Sequence, residues 1–243
     1  MPAAPRHRRE EPTVARYSRR EFLSNTGAAA GASIIAPSLI PFSTSAAPPA
    51  RTPGEARLLP APAKEGGMPL MKALSRRCST REFSPRPLPV QVLSNLLWAA
   101  YGINRPSGDR TAPYWRHIMV IDVYAVMADG VWLYDPKQHA LRLHLDADIR
   151  AQTGRQDFVA KAPLNLVYVA HGERMTDISP EERRLYASVD AAFAGQNVYL
   201  FCASEGLATV FRGALDQEQL GRAMKLGDGQ FVTFAQTVGF PHG

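Results

Sequence analysis

Between positions 76 and 81 the chain reads Arg76-Arg77-Cys78-Ser79-Thr80-Arg81, its densest set of anion-binding donors. Guanidinium groups present forked N–H donors that match phosphate oxygens, and Ser79 and Thr80 add hydroxyls. A plainer role is also open from residue types alone: Ser79 and Glu82 could cap a helical turn while the arginines lie solvated. Metal chemistry has thinner support. The six histidines (7, 117, 139, 144, 171 and 242) form no ligand-spaced pair on a helix face, and Cys78 and Cys202 belong to no Cys-x-x-Cys or His/Cys spacing, so no metal site is expected. Both cysteines read as small buried hydrophobes, since their separation in sequence says nothing about pairing.

Something must position that cluster, and the hydrophobic pattern indicates what. Met71-Lys72-Ala73-Leu74 begins a short helix that runs into the cluster. Beyond three prolines (85, 87, 89), Val92, Leu93, Leu96, Leu97 and Ala100 fall at helical spacing, and Gly102 suits the helix end. Residues 103–116 lack periodicity and read as a loop. His117 to Val126, Val131 to Tyr134 and Leu141 to Leu145 read as strands, the last two joined by a turn at Asp135-Pro136-Lys137. The apolar run Leu164 to Ala170 reads as a buried strand.

The strongest helix signal begins at Ser179, with Pro180 at the first helical position and Glu182 completing a capping box. Leu185, Val189, Ala192, Phe193, Gln196, Tyr199 and Leu200 mark one face, and Gly206 ends the helix. Its ~26 residues would span about 39 Å, enough to cross a domain as a core element. Asp216 with Gln219 opens another capped helix, and Phe231 to Val238 is a last strand. Helices and strands mix without regular βαβ alternation, so the fold class is α+β.

The 243 residues are 45% apolar and 21% charged, an ordinary globular composition for about one domain. Of the 28 basic and 22 acidic side chains, six Arg and three Glu fall in residues 1–46, leaving a mild excess of 22 over 19 in the remainder. With no long basic run, nucleic-acid binding is not indicated.

Those first residues have their own logic. A basic stretch leads to Ser18-Arg19-Arg20-Glu21-Phe22-Leu23, then to a weakly apolar Ala/Gly-rich run from Thr26 to Ile40 and the small residues Ser43 to Ala47. This is a signal-peptide layout, and Arg-Arg followed by Phe-Leu resembles the twin-arginine consensus. Pro37 and Pro41 break the apolar run, making it a poor membrane span. The expected organisation is a twin-arginine signal over 1–47, a Pro/Ala-rich linker over 48–66 and a folded domain over 67–243. Export through the twin-arginine translocase to the periplasm follows, and that route carries folded, often cofactor-loaded proteins.

Arg-Arg-Cys-Ser-Thr-Arg-Glu-Phe, followed by the Leu-Leu-Trp-Ala-Ala-Tyr-Gly helix, resembles the start of the flavin-dependent nitroreductase superfamily. Further likenesses come in order over about residues 68–241. Arg110-Thr111-Ala112-Pro113 resembles the second flavin loop, and Gly130 to Pro136 a hairpin of the subgroup near azoline-forming peptide dehydrogenases. Ala194 to Leu200 with Glu205 to Thr209 resemble the central helix and the strand after it, and Val238 to Pro241 the closing strand.

The resemblance implies a nitroreductase-like central antiparallel or mixed sheet flanked by helices with one long core helix. It implies FMN held non-covalently, commonly across a homodimer interface. Arg77, Cys78, Ser79 and Arg81 would meet its phosphate end. Pro113 and His117 would come from the second loop, and the backbone of Val210, Phe211, Arg212 and Gly213 would approach the ring. It further implies ping-pong electron transfer to a small-molecule substrate, with NADH or NADPH as donor in relatives; no side-chain acid or base is assigned as catalytic. The second loop departs from the family pattern. His117 stands where Asn is usual and Met119 where Gln is usual, while Tyr114 and Trp115 either cover the ring or fill the pocket. Two alternatives remain at this level: a non-catalytic exported protein of the same fold with weak or no flavin binding, and a dehydrogenase of modified peptides.

Overall fold

Eight consecutive buried residues, Leu164–His171, form the strand around which the molecule is organised. A strand covered on both faces reads as a near-continuous apolar run, here interrupted at Asn165 and closed by His171. The computed structural model describes residues 51–242. The expected export signal at 1–47 lies outside the described residues.

In chain order the elements are β1 (Ala56–Leu58), α1 (Leu70–Arg76), α2 (Val90–Tyr101), β2 (Ile121–Met127), β3 (Gly130–Asp135), β4 (Ala140–Leu145), α3 (Phe158–Lys161), β5 (Leu164–His171), α4 (Pro180–Glu205), β6 (Ala208–Arg212), α5 (Gln217–Ala223) and β7 (Gln230–Gly239). The seven strands form one sheet in the order β1-β4-β3-β2-β5-β7-β6, and every pairing is antiparallel. The fold is α+β.

Alternation along β5 sorts the core into two layers. Leu164, Leu166, Tyr168 and Ala170 point toward α2 and α4 and join the larger cluster with Leu96, Leu97, Ala191, Ala194 and Val198. Val167 and Val169 point the other way and pack with Leu220 and Met224 beneath α5. This is the period-two consequence of a pleated strand, with each face covered by helix.

Helix α4 starts with the expected capping box: Ser179 Oγ accepts from the Glu182 N–H at 3.2 Å, and Glu182 Oε2 accepts from the Ser179 N–H at 2.9 Å. It ends at Gly206, whose φ of 69° is the left-handed conformation that glycine adopts without steric cost. The face it buries differs from expectation. Ala187, Asp190, Ala191, Ala194, Gly195, Val198 and Cys202 face the sheet, while Leu185, Val189 and Phe193 are exposed. Small residues let the helix backbone approach the sheet closely, and the large apolar side chains are left on the opposite side.

Three further expectations are corrected. The stretch read as a linker contains β1, which pairs with β4 through Ala56↔Arg142 and Leu58↔Ala140. The same stretch continues across α2, where the Ser94 hydroxyl donates to Pro60 O at 2.6 Å and Asn95 Oδ1 accepts from the Ala63 N–H at 2.9 Å. An exposed strand edge accepts any extended backbone, whatever its composition. The strand expected from His117 starts at Ile121, because Trp115–His117 form a 3-10 turn with Arg116 at φ 44° and His117 at φ 58°. Finally, Cys78 is exposed, Cys202 is buried, and the two are unpaired.

Candidate active site

Helix α1 ends where the arginine cluster begins, with the Arg77 N–H closing on Ala73 O at 2.9 Å. The loop is then tied to the outer edge of the sheet, as the Thr80 N–H donates to Thr209 O of β6 at 2.9 Å. Ser79 Oγ lies 2.7 Å from Tyr199 Oη of α4, and Tyr199 Oη accepts from the Phe211 N–H of β6 at 2.9 Å. With its lone pair engaged by that amide, the tyrosine hydroxyl is free to donate its proton to Ser79. The Ser79 proton is then available to an incoming acceptor. The Arg77 guanidinium sits 5.2 Å from the centre of the Tyr199 ring, a cation–π distance. One tyrosine thus joins the loop, the long helix and the edge strand.

The cationic groups here lack carboxylate partners. Among the described residues, no ion pair includes Arg77 or Arg81. Arg81 lines an open cleft of about 570 Å³ whose walls carry Lys161 and His242 as well as the acids Glu82 and Asp157, neither of them in an ion pair with Arg81. Exposed cations and hydroxyls gathered on one loop constitute a donor set for an anionic oxygen cluster. Cys78 is exposed, with Sγ 3.6 Å from Thr80 Oγ1, and contributes no further donor of strength.

In the 210–213 segment the four residues divide. Val210 is buried with Phe83, Ala162 and Ala208. Phe211 packs on Tyr168 and Phe234, with ring centroids 5.7 and 4.8 Å away. The Arg212 side chain turns into the protein: Nε donates to Thr237 Oγ1 at 3.0 Å, Nη1 to Thr153 O at 2.8 Å and Nη2 to Asn165 Oδ1 at 3.1 Å. Burial without a counter-charge lowers its pKa to about 10. It is a structural cation, not a donor to the open side. Gly213 is exposed, and its N–H donates to no acceptor among the described residues. The Phe211 amide is already taken by Tyr199, whereas the exposed Gly213 amide is open to a ligand.

The second loop runs along α4, meeting it at Asn197 through Thr111 O and at Asp190 through the Trp115 amide. The Trp115 N–H donates to Asp190 Oδ2 at 2.9 Å, and the Trp115 ring packs on Tyr186 at 6.0 Å, so this side chain fills the protein interior. Burial raises the Asp190 carboxyl to about 6, partly offset by the Trp115 amide. The Tyr114 hydroxyl donates to Asp109, and Met119 Sδ accepts from Arg110 Nη2 at 3.0 Å, which turns the thioether inward. Pro113 and His117 are exposed. Asp190 and Tyr199 are nine residues apart on one helix, about 13 Å at 1.5 Å per residue. Among the described residues no hydrogen bond joins Pro113 or His117 to residues 77–81 or to Gly213, although the loop's Thr111 O accepts from Asn197 Nδ2, two residues from Tyr199, at 3.2 Å. The polar role of Tyr199 had no signal in the apolar pattern of α4; Gly195, one turn earlier, was the only local mark of a close approach.

The nitroreductase family model matches residues 74–240, which include the arginine loop, α4 and the closing strand. The chain belongs to the nitroreductase family. A protein of Methanocaldococcus jannaschii that bears a nitroreductase designation is 30% identical over 167 residues, 65% of this chain and 84% of its own length. Among solved structures, a Ralstonia eutropha protein with the same designation is 44% identical, with a TM-score of 0.74 over 79% of this chain and 94% of that one. The NADPH:FMN oxidoreductase of Vibrio harveyi, solved with NAD+, shares the fold at 20% identity, with a TM-score of 0.53 over 72% of this chain and 69% of that one.

Proposed function

We propose that this chain is an exported, FMN-dependent oxidoreductase of nitroreductase type, passing electrons from a donor to a small-molecule acceptor in separate half-reactions. The observation that carries it is the Ser79–Tyr199–Phe211 link, which fixes a loop of unpaired arginines and hydroxyls against the sheet edge where Gly213 exposes its amide. That donor set fits a flavin mononucleotide. Arg77, Ser79 and Arg81 would hold the phosphate, and the Gly213 N–H would face the ring, where an amide stabilises negative charge. Bound FMN supplies the hydride chemistry, so no protein acid or base has to carry it. The Vibrio harveyi enzyme, named for NADPH and FMN, supports flavin use at the level of the family.

The chain acts as a homodimer in this reading. Leu185, Val189 and Phe193 form an exposed apolar stripe at helical spacing on α4, with relative exposures of 58, 40 and 43%. A second copy seated on that stripe would bring its own Pro113 and His117 to the site that one chain leaves incomplete. Residues 1–47 deliver the folded, loaded protein to the periplasm, on the strength of Arg19-Arg20 and the segments after it.

The deciding experiment is to purify the protein from a cytoplasmic fold and record its visible spectrum. Oxidised-flavin absorbance, lost in Arg77→Ala, is expected. A colourless protein that takes up no added FMN would remove the enzyme reading in favour of a non-catalytic relative, for which the inward-turned Met119 and buried Trp115 are the supporting observations. Export is tested separately by fusing residues 1–47 to a folded reporter, with Arg19→Lys and Arg20→Lys together expected to hold the reporter in the cytoplasm.

A further inference from the structure

A second cavity, of about 200 Å³, lies between the end of α2, the start of β2 and the β3–β4 turn, with β5 and β7 separating β2 from β6. Its walls include Tyr101, Arg110, Asp122, Tyr134, Lys137 and Arg174. Arg110 is 6% exposed, yet its Nε and Nη1 have no hydrogen-bond partner among the described residues. The third guanidinium nitrogen meets only the Met119 thioether, a weak acceptor, at 3.0 Å. The Tyr101 ring lies 5.5 Å from Arg110 Cζ, and the Tyr101 hydroxyl is itself buried without a partner. No carboxylate is within ion-pair distance of Arg110 among the described residues. Asp122, the one acid in the wall, is engaged by His171 Nε2 at 2.7 Å, and the other nitrogen of that ring faces Glu173.

A buried cation with unsatisfied N–H groups is costly unless an acceptor meets it. Three cations against one occupied carboxylate leave the cavity electropositive. Ile121, Val123 and Pro136 add one apolar side to a wall that is otherwise polar, a place for the short hydrocarbon body of a small anion to lie. The volume equals the liquid share of roughly six or seven waters. We infer that this cavity binds a small monocarboxylate, its anionic head on Arg110 and the Tyr101 hydroxyl and its apolar body along the start of β2. No residue of the 77–81 or 210–213 segments lines the cavity, although Arg110 and Met119 come from the second loop, whose Pro113 and His117 the proposed function draws to the flavin, so Arg77→Ala separates the two readings.

Calorimetric titration of the full chain with benzoate at constant ionic strength tests it, with inorganic phosphate and chloride as comparison ions. Saturable one-site benzoate binding is expected. It should be weakened at least tenfold in Arg110→Met, several-fold in Lys137→Glu at the exposed rim, and not at all in Arg77→Ala. If Arg110→Met does not fold, Lys137→Glu decides alone. Absence of saturable benzoate binding would overturn the inference, as would binding unchanged in Lys137→Glu or abolished in Arg77→Ala. Phosphate binding more tightly than benzoate would overturn the assignment to monocarboxylates.

Discussion

The ring of Phe211 occupies the space in which residue 195 would carry a side chain: a Cβ on Gly195 would lie 2.5 Å from Phe211 Cδ2 and 2.6 Å from Cε2. Glycine in the middle of a helix costs about 1 kcal/mol relative to alanine, so its presence here reflects the close approach of α4 to β6. Gly195→Ala should destabilise the fold by a net 1–2 kcal/mol, roughly the overpacking cost less the propensity gained. The measurement is the urea midpoint of the variant. Phe211→Leu placed in the same chain should recover most of the loss, and a double variant no more stable than Gly195→Ala would contradict this account.

Tyr199→Phe removes one hydroxyl and two hydrogen bonds, those to Ser79 and to the Phe211 amide. The ring that carries Arg77 stays in place. Neutral hydrogen bonds are worth about 1 kcal/mol each, so FMN affinity should fall about five- to tenfold through loss of the oriented Ser79 hydroxyl. Quenching of FMN fluorescence on titration with the protein reads this directly. Ser79→Ala should give a similar loss, and the two changes combined should cost little more than either alone, because both break the same chain of donors.

Much of this architecture could be read from residues before any coordinates. Ser179, Pro180 and Glu182 marked the start of α4 because capping chemistry is local. The run Leu164 to Ala170 announced the central strand because burial on both faces leaves few polar positions, Asn165 being the exception. The wetted and buried faces of α4 could not be told apart in the same way. Its large apolar residues point outward and its small ones inward, and only the neighbouring strand decides how near the helix must come. The same holds for Arg212, which sits in a segment that resembles a flavin contact but spends its donors on Thr153, Asn165 and Thr237, partners far away in sequence. Residues 56–58 gave no strand signal because an edge pairing draws on backbone alone.

Arg212 should therefore behave as a stability residue. Arg212→Met removes three hydrogen bonds made by a buried cation and leaves the Thr153 carbonyl without its donor, while Asn165 Oδ1 still accepts from Thr237, which is expected to cost about 2–4 kcal/mol in unfolding free energy. FMN affinity of the fraction that folds should change less than twofold. A large loss of flavin binding in a stably folded Arg212→Met protein would place this side chain in the cofactor site after all.

Asp190 supplies a pH test of the anchor beneath the second loop. Its carboxyl is raised from an ordinary 3.8 to about 6 by burial, so the folded protein holds this proton more tightly than the unfolded chain does. Between about pH 4 and 6 the unfolded form ionises first, and the contribution of this group to stability falls as pH rises. Above 6 the buried charge is carried in full. Asp190→Asn keeps an oxygen to accept the Trp115 N–H but cannot ionise. It should be more stable than the parent by about 2 kcal/mol at pH 7.5, with the difference closing as pH drops toward 4. Urea unfolding of both proteins at pH 4, 5, 6 and 7.5 measures it. A stability gap that does not vary with pH would show that Asp190 titrates like an exposed acid and that the loop is held by something other than this buried carboxylate.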